Sequence, residues 1–349
     1  MNWQRHIGRA RGTVPAIVIG SEPEGNILFI LPLAVYTTGP VRRLRWLGSQ
    51  LCDYNGPVLA RHFPAWTSTH HFRSAWHDVI ELLRRDALFH FDVIDLAKMP
   101  ESIGEQRNPF MDFRLRAHPS GAYLASLGRD WETFYAGKRS AATRKRERRQ
   151  LRQLAEHGEV RFRNVESTQE IERTLTTLFQ QKSDAFARMG VDDAFARPGQ
   201  REFFLAVAKD PAMSNIVHVS RLDVGNEMAA TSIGLKHRGC YYLILSSYTP
   251  GTLSRFGPGR AQLNELMGHA IRQGIHEFDF TVGDEPYKRD WSDRELMLHD
   301  HLTAVTLRGW LFVAMLTTFR RIKRGIKQSP LLWRGFSRAR ALAGVLNSR

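Results

Sequence analysis

RFGPGRAQLNELMGHAIRQGIHEFDFTVGDEPYKRDW, residues 255–291, is the stretch from which the whole chain can be read. Leu263, Leu266, Met267, Ala270 and Ile271 fall at the i, i+3, i+4, i+7, i+8 spacing of a helix with one apolar face, and Gly274 ends it. Glu277 to Phe280 reads as a strand and Thr281 to Asp293 as a loop. A glycine turn that opens a helix aims backbone N–H groups at one point, where the helix dipole favours an anion. Arg255, Gly257, Gly259 and Arg260 are therefore candidates for holding a pyrophosphate, although the same pattern also serves as a plain turn. The turn lacks the Lys-Ser/Thr ending of a P-loop and the acidic partner of a dinucleotide site. Downstream, Asp279, Asp284 and Glu285 stand beside Tyr287, Lys288 and Arg289 at a strand end, where binding and catalytic groups concentrate. Either a reactive site or a structural loop fits, the latter tied by Asp–Lys and Asp–Arg pairs and anchored by Trp291.

Upstream of this stretch, Ile216–Leu222, Met228–Lys236 and Cys240–Ser246 are strand candidates separated by short turns, which implies an antiparallel meander and disfavours a Rossmann fold. Ile171, Leu175, Leu178, Phe179 and Phe186 share one helical face, with a second helix expected over Gln200–Lys209. Trp131–Leu154 reads as one basic connecting helix. Nearer the start, Ala16–Ile19 and Ile27–Leu33 predict two antiparallel strands, Leu44–Leu47 a third, Phe72–Leu83 a helix and Phe89–Leu96 a strand. Phe113–Leu124 is another extended stretch, and Leu302–Leu307 a final strand. The fold class is mixed α/β.

A chain of 349 residues, 42% hydrophobic and 24% charged, predicts two domains. Cys52 and Cys240 set no disulfide framework and read as apolar fillers. The start lacks the pattern of a secretory signal. The longest apolar run, Trp310–Leu316, is far below the roughly 20 residues that span a bilayer. The net charge of +15 is concentrated in two places. Between Lys138 and Arg152 eight Lys or Arg face one acid, Glu147, and from His301 to Arg349 there are ten Lys or Arg and no acid. The remainder is nearly neutral. His299 and His301 share a strand face, but no third ligand cluster accompanies them, so no metal is expected.

Phe278-Asp279-Phe280, Gly283-Asp284, Tyr287-Lys288 and Trp291, preceded by Pro258-Gly259 and Gly274, resemble the signature of CelD/BcsL-type acetyltransferases. That family belongs to the GNAT superfamily and is similar to Fem-type peptidyltransferases. Leu31-Pro32-Leu33, Leu47-Gly48 and Asp53-Tyr54 look like its first half, and Trp131–Gly158 like its connecting helix. The resemblance implies tandem GNAT-like domains with mixed, largely antiparallel sheets flanked by helices: residues 1–125, a connecting helix 126–156, a donor-binding domain 157–307 and a basic tail 308–349. Members usually carry a further helix before the first strand, of which Trp3–Gly8 would be the tail, so the first domain is expected to be incomplete at its start. The implied donor is acetyl-CoA or another acyl-CoA, with its pyrophosphate at Gly257, Gly259 and Arg260. Ser254 departs from the family's Gln or Arg, and Pro258 removes one N–H.

The acceptor implied is an amine or hydroxyl of a sugar or cell-envelope precursor. Direct transfer needs a base, for which Asp284 or Glu285 is expected, and an acid for the thiolate, for which Tyr287 is expected. Lys288 would hold an anionic group of the acceptor, and Asp279, Arg289, Asp53 and Tyr54 are further substrate-binding candidates. The basic segments suit an anionic small-molecule acceptor or, as the Fem-type alternative, tRNA; DNA is not expected. Trp310, Leu311, Val313, Leu316 and Phe319, interleaved with Arg320, Arg321, Lys323 and Arg324, predict an amphipathic tail for an anionic membrane surface. The location expected is cytoplasmic, peripheral at the inner membrane. A GNAT-shaped binding protein without catalysis is a further alternative.

Overall fold

The computed structural model describes residues 2–63 and 69–328. β1 (Val14–Ser21), β2 (Ile27–Thr38), β3 (Val41–Trp46) and β4 (Val58–Leu59) precede helix α1 (Thr69–Arg85) and β5 (Val93–Pro100). A short hairpin, β6 (Ser102–Ile103) and β7 (Gln106–Arg107), leads to β8 (Arg116–Ala117), β9 (Ala122–Ser126), α2 (Trp131–Lys138) and α3 (Ala141–Ala155). Next come β10 (Val160–Val165), α4 (Thr168–Met189), α5 (Gln200–Ala208), β11 (Val217–Val224), β12 (Glu227–His237) and β13 (Cys240–Tyr248). The chain continues through α6 (Pro258–Arg272), β14 (Glu277–Val282), α7 (Pro286–Trp291), β15 (Arg294–Leu296), β16 (Leu298–Ala304) and α8 (Leu307–Gln328).

Two compact units result. One is Ser120–Leu296 with the residues up to Ile7; the other is Gly8–Pro119 with the segment from Met297. These limits differ from the expected boundaries at 125 and 307. β9 belongs to the second sheet, between β14 and β15, and β16 belongs to the first sheet, between β5 and β8. The physical reason is burial: Ala122, Tyr123, Leu124 and Ala125 are all buried, as an inner strand covered on both faces requires. The residues from 329 onward, half of the expected basic tail, lie outside the described residues.

The Gly8–Pro119 unit runs β1-β2-β3-β5-β16-β8, with β4 on β2. Its β1, β2 and β3 are antiparallel, as their sequence predicts, and α1 carries the chain over to β5, which pairs parallel with β3. Leu31, Leu33, Leu44, Trp46, Phe72 and Phe110 form its core. The other unit runs β10-β11-β12-β13-β14-β9-β15 and repeats the pattern: an antiparallel meander, β10 to β13, then the crossover helix α6 and a parallel partner, β14. Both units are thus mixed α/β, with the same strand–helix–parallel-strand crossover.

α4 and α6 cover opposite faces of this second sheet. Thr231 donates to Gln181 of α4 at 2.6 Å, whereas Gln262 of α6 donates to Ser232 at 3.1 Å and to Ser220 at 3.0 Å. Consecutive strand residues point to opposite faces, so the helices must lie on either side. Two local expectations fail. The connecting helix breaks at Arg139, whose backbone is extended, and Ser140 caps a new helix by accepting from the Thr143 N–H at 3.2 Å. The expected loop after β14 contains α7, which begins at Pro286, a residue suited to a first helical position.

Candidate active site

β13 and β14 pair over only three parallel positions, Cys240↔Glu277, Tyr241↔Phe278 and Tyr242↔Asp279. Beyond them the strands part. β13 carries a bulge, its register against β12 slipping between Ile233 and Gly234 so that Ile244 is the extra residue. β14 bends at Thr281, which adopts φ 59°, a left-handed conformation costly for a β-branched residue. Asp279 holds that bend. Its carboxylate, buried at 2% exposure, accepts the Thr281 N–H at 2.7 Å, and the Thr281 hydroxyl donates to the Leu243 carbonyl at 3.1 Å.

Lys288 completes the bend. Its ammonium, only 5% exposed, donates to the Val282 carbonyl at 3.0 Å and pairs with Glu285 at 3.1 Å. Gly283, at φ 150°, lies where a Cβ would collide with both the Glu285 carboxylate and the Lys288 ammonium. Asp279 and Lys288, expected to contact substrate, are instead occupied in shaping the strand end. Trp291 is the buried anchor that the structural reading of this loop supposed, with the Arg139 guanidinium 4.1 Å from its ring centroid.

The parting of the strands opens a cavity of about 520 Å³. Gly257, Gly259, Arg260 and Gln262 line it from the α6 side, and Lys182 from the α4 side, so it reaches both faces of the sheet. Glu285, Tyr287, Ser246 and Trp291 also line it. Of the expected residues it therefore brings together Glu285, Tyr287, Gly257, Gly259 and Arg260. Asp284 is exposed and accepts from the Ser120 hydroxyl at 2.9 Å, Arg289 donates to the Tyr123 hydroxyl at 3.0 Å, and neither lines the cavity. Arg255 is exposed and lies over the Phe256 ring, 4.7 Å from its centroid. Asp53 and Tyr54 belong to the Gly8–Pro119 unit, half-buried between β3 and β4.

The glycine turn is a leaner anion cradle than its sequence suggests. Gly257 takes the left-handed conformation, φ 70°, and its N–H donates to the Ser254 carbonyl at 3.1 Å. The N–H groups of Arg260 and Ala261 both donate to the Gly257 carbonyl, and Pro258 has none. Among the described residues, Gly259 keeps the first-turn N–H without a backbone acceptor. A Cβ there would approach the Tyr248 ring to 3.1 Å, so glycine keeps this edge of the cavity open. Arg260 is spent on Gln150 at 2.8 Å and Glu147 at 3.6 Å.

Burial, with the nearby Glu285 carboxylate adding to it, pushes the Tyr287 phenol up to about 12. Sequence reasoning missed Lys182 and Gln262, and it took Arg139 and Arg146 only as part of the basic segment Lys138–Arg152. Lys182 could not be singled out because its position on α4 reads as the polar flank of an amphipathic helix. Its ammonium pKa is pushed down by burial and by Lys288, against the pull of Glu285. Three groups of cavity-lining residues lack a hydrogen-bond partner among the described residues: the Gln262 Oε1, the Trp291 Nε1 and the Arg139 Nε. Buried polar groups are normally satisfied, so such a concentration fits a site that receives a polar ligand. Among the described residues no group of three His, Cys, Asp or Glu side chains could hold a metal ion. His301 bonds the Arg114 carbonyl at 3.1 Å, and Asp300 pairs with His118 at 2.8 Å.

Residues 141–289 match the acetyltransferase (GNAT) domain family. No curated protein matches the chain. Among solved structures, FemX is similar at 8% identity and TM-score 0.57, over 87% of this chain and 89% of that one. The C-terminal domain of a candidate lysylphosphatidylglycerol synthetase from Agrobacterium fabrum is similar at 13% identity and TM-score 0.51, over 87% and 88%. L-PGS from Bacillus licheniformis is similar at 13% identity and TM-score 0.50, over 88% and 89%. These likenesses show a shared fold that extends over both units.

Proposed function

We propose that the cavity between β13 and β14 transfers an acyl group from an acyl-CoA to an amine or hydroxyl of a sugar or cell-envelope precursor, as a CelD/BcsL-type enzyme would. The observation that carries this reading is the opening of the sheet where two parallel strands part, held open by Asp279 and Thr281 and reaching both faces. A thioester arm can lie on the α6 side while an acceptor approaches from the α4 side. Gly257 and Arg260 also line a second cavity of about 360 Å³ with Arg144, Arg148, Arg272 and Trp131, a setting suited to a phosphate-bearing donor. No described helix is long and apolar enough to cross a membrane. On α8, however, Leu307, Trp310, Leu311 and Met315 are each more than half exposed. That face, followed in sequence by Arg320, Arg321, Lys323 and Arg324, is proposed to meet an anionic lipid surface, and binding to phosphatidylglycerol vesicles that survives deletion of 305–349 would exclude it.

In the transfer, the acceptor nitrogen or oxygen bonds to the thioester carbonyl carbon, its proton passes to the Glu285 carboxylate, and the carbon–sulfur bond breaks. Tyr287 serves the departing sulfur as a hydrogen-bond donor. With the phenol at about 12 and a thiol near ~8.5, complete proton transfer from Tyr287 would be uphill by roughly 5 kcal/mol, so the sulfur leaves as a thiolate held by the Tyr287 hydrogen bond and takes its proton from the buffered solution after release. Asp284, outside the cavity, is not given the base role. The test is release of free thiol from acetyl-CoA in the presence of amino sugars. Turnover that falls in Glu285→Gln and Tyr287→Phe supports the reading, and full turnover in both variants sinks it.

A second reading, an aminoacyl-tRNA donor, is favoured by the arginines that α3 contributes to both cavities, Arg144, Arg146 and Arg148. It requires RNA that co-purifies with the protein and is lost steeply as salt rises.

A further inference from the structure

Among the described residues, Lys182 is the one cation of the cavity that lies on the α4 side of the sheet. The carboxylates around it are already matched. Glu147 accepts from the Tyr135 hydroxyl at 2.6 Å and the Asn264 amide at 3.2 Å, Asp290 pairs with Arg139 at 3.1 Å, and Glu285 pairs with Lys288 at 3.1 Å. Among the described residues no carboxylate stands within ion-pair distance of the Lys182 ammonium. Arg146 is likewise without an ion-pair partner among the described residues, but α3, which carries it, packs against α6, on the side assigned to the donor. A half-buried ammonium beside Lys288, with only the already paired Glu285 as a more distant opposing charge, is unfavourable unless an anion arrives to meet it.

We propose that Lys182 anchors an anion subsite for the acceptor, so that the molecule acylated carries a phosphate or carboxylate beside its reacting amine or hydroxyl. The identity of the site rests on the acyl-transfer reading, but the anion preference does not depend on which donor is used. The positions divide the labour: Lys182 takes the anion, Glu285 the acceptor proton, and Tyr287 the leaving sulfur. Lys288 cannot take the first role, because the Val282 carbonyl and Glu285 already hold it. Burial pulls the Lys182 pKa down, Glu285 opposes it and Lys288 adds to it, and a bound anion would favour the charged form.

Calorimetric titration of the full chain with ethanolamine, O-phosphoethanolamine and β-alanine tests the subsite, and titration with CoA tests the donor reading separately. The expected result is that one of the two anionic amines binds at least about tenfold tighter than ethanolamine, the scale of one charge-assisted hydrogen bond. A preference for O-phosphoethanolamine assigns the subsite to phosphate, and a preference for β-alanine assigns it to carboxylate. Lys182→Met should abolish the preference and Lys182→Arg should restore part of it, with CoA affinity unchanged in both. If neither anionic amine outbinds ethanolamine, or if a preference persists in Lys182→Met, the subsite is overturned. Loss of CoA binding in the native chain with the anion preference intact would instead remove the donor reading and leave the subsite standing.

Discussion

Lys288 shows how a reactive side chain can be committed to architecture. Its three possible donors are directed at the carbonyl end of β14 and at Glu285 within a nearly solvent-free setting. Removing it leaves buried carbonyls without a partner, so Lys288→Met is expected to cost about 2 kcal/mol of stability in urea unfolding. Were Lys288 an acceptor ligand instead, the variant would raise KM and leave stability untouched. His218 provides a second residue-scale test. It lies at 7% exposure, bonded to the Tyr241 hydroxyl at 3.0 Å and the Asn164 side-chain Oδ1 at 3.0 Å, and burial, with a smaller effect of His269, pushes its pKa from 6.5 down to about 3. The unfolded chain takes up this proton near 6.5 while the folded chain does not until about 3. The contribution is therefore complete above 6.5 and is lost as pH falls between these values, with a slope of up to about 1.4 kcal/mol per pH unit. His218→Gln should flatten the stability–pH curve in that window, and an unchanged slope would contradict the assignment.

At the scale of elements, the decisive object is the bend of β14. Asp279 pins a left-handed threonine, and that threonine ties back to β13, so the cleft is opened by two residues that need never touch substrate. Asp279→Ala should destabilise the chain by about 1–3 kcal/mol and weaken CoA binding, because the strand end loses the bond that holds it away. CoA binding of native strength in that variant would show that the cleft is held open by something else. The meander, α4, α6 and β14 were legible from the sequence because apolar periodicity and turn residues agree there, as in the stripe from Leu263 to Ile271. The role of Asp279 was not legible: alternation places its side chain away from Phe278 and Phe280, but only the three-dimensional bend shows that the carboxylate returns to its own backbone. Lys182 was hidden for the complementary reason, that a lysine on a helix flank acquires meaning only when the strands opposite it part. The turn at Gly257 was visible as a cradle, yet its N–H groups are largely consumed by Ser254 and by the turn itself.

The whole molecule is two units that each take a strand from beyond the boundary drawn by sequence. A fragment of residues 120–296 retains all seven strands of the second sheet, whereas a fragment of 126–296 loses nearly all of β9 from its interior. The longer fragment should melt cooperatively and the shorter should not, as followed by circular dichroism; equal behaviour would mean that β9 contributes little to the sheet. The central claim is that the opening between β13 and β14 receives the thioester arm of an acyl donor. Ser246 lines that opening, so Ser246→Trp would fill it. Thermal unfolding with CoA at about 100 times its Kd should show stabilisation of about 2.7 kcal/mol in the native chain and none in Ser246→Trp. No stabilisation of the native chain, or equal stabilisation of both, would contradict the account.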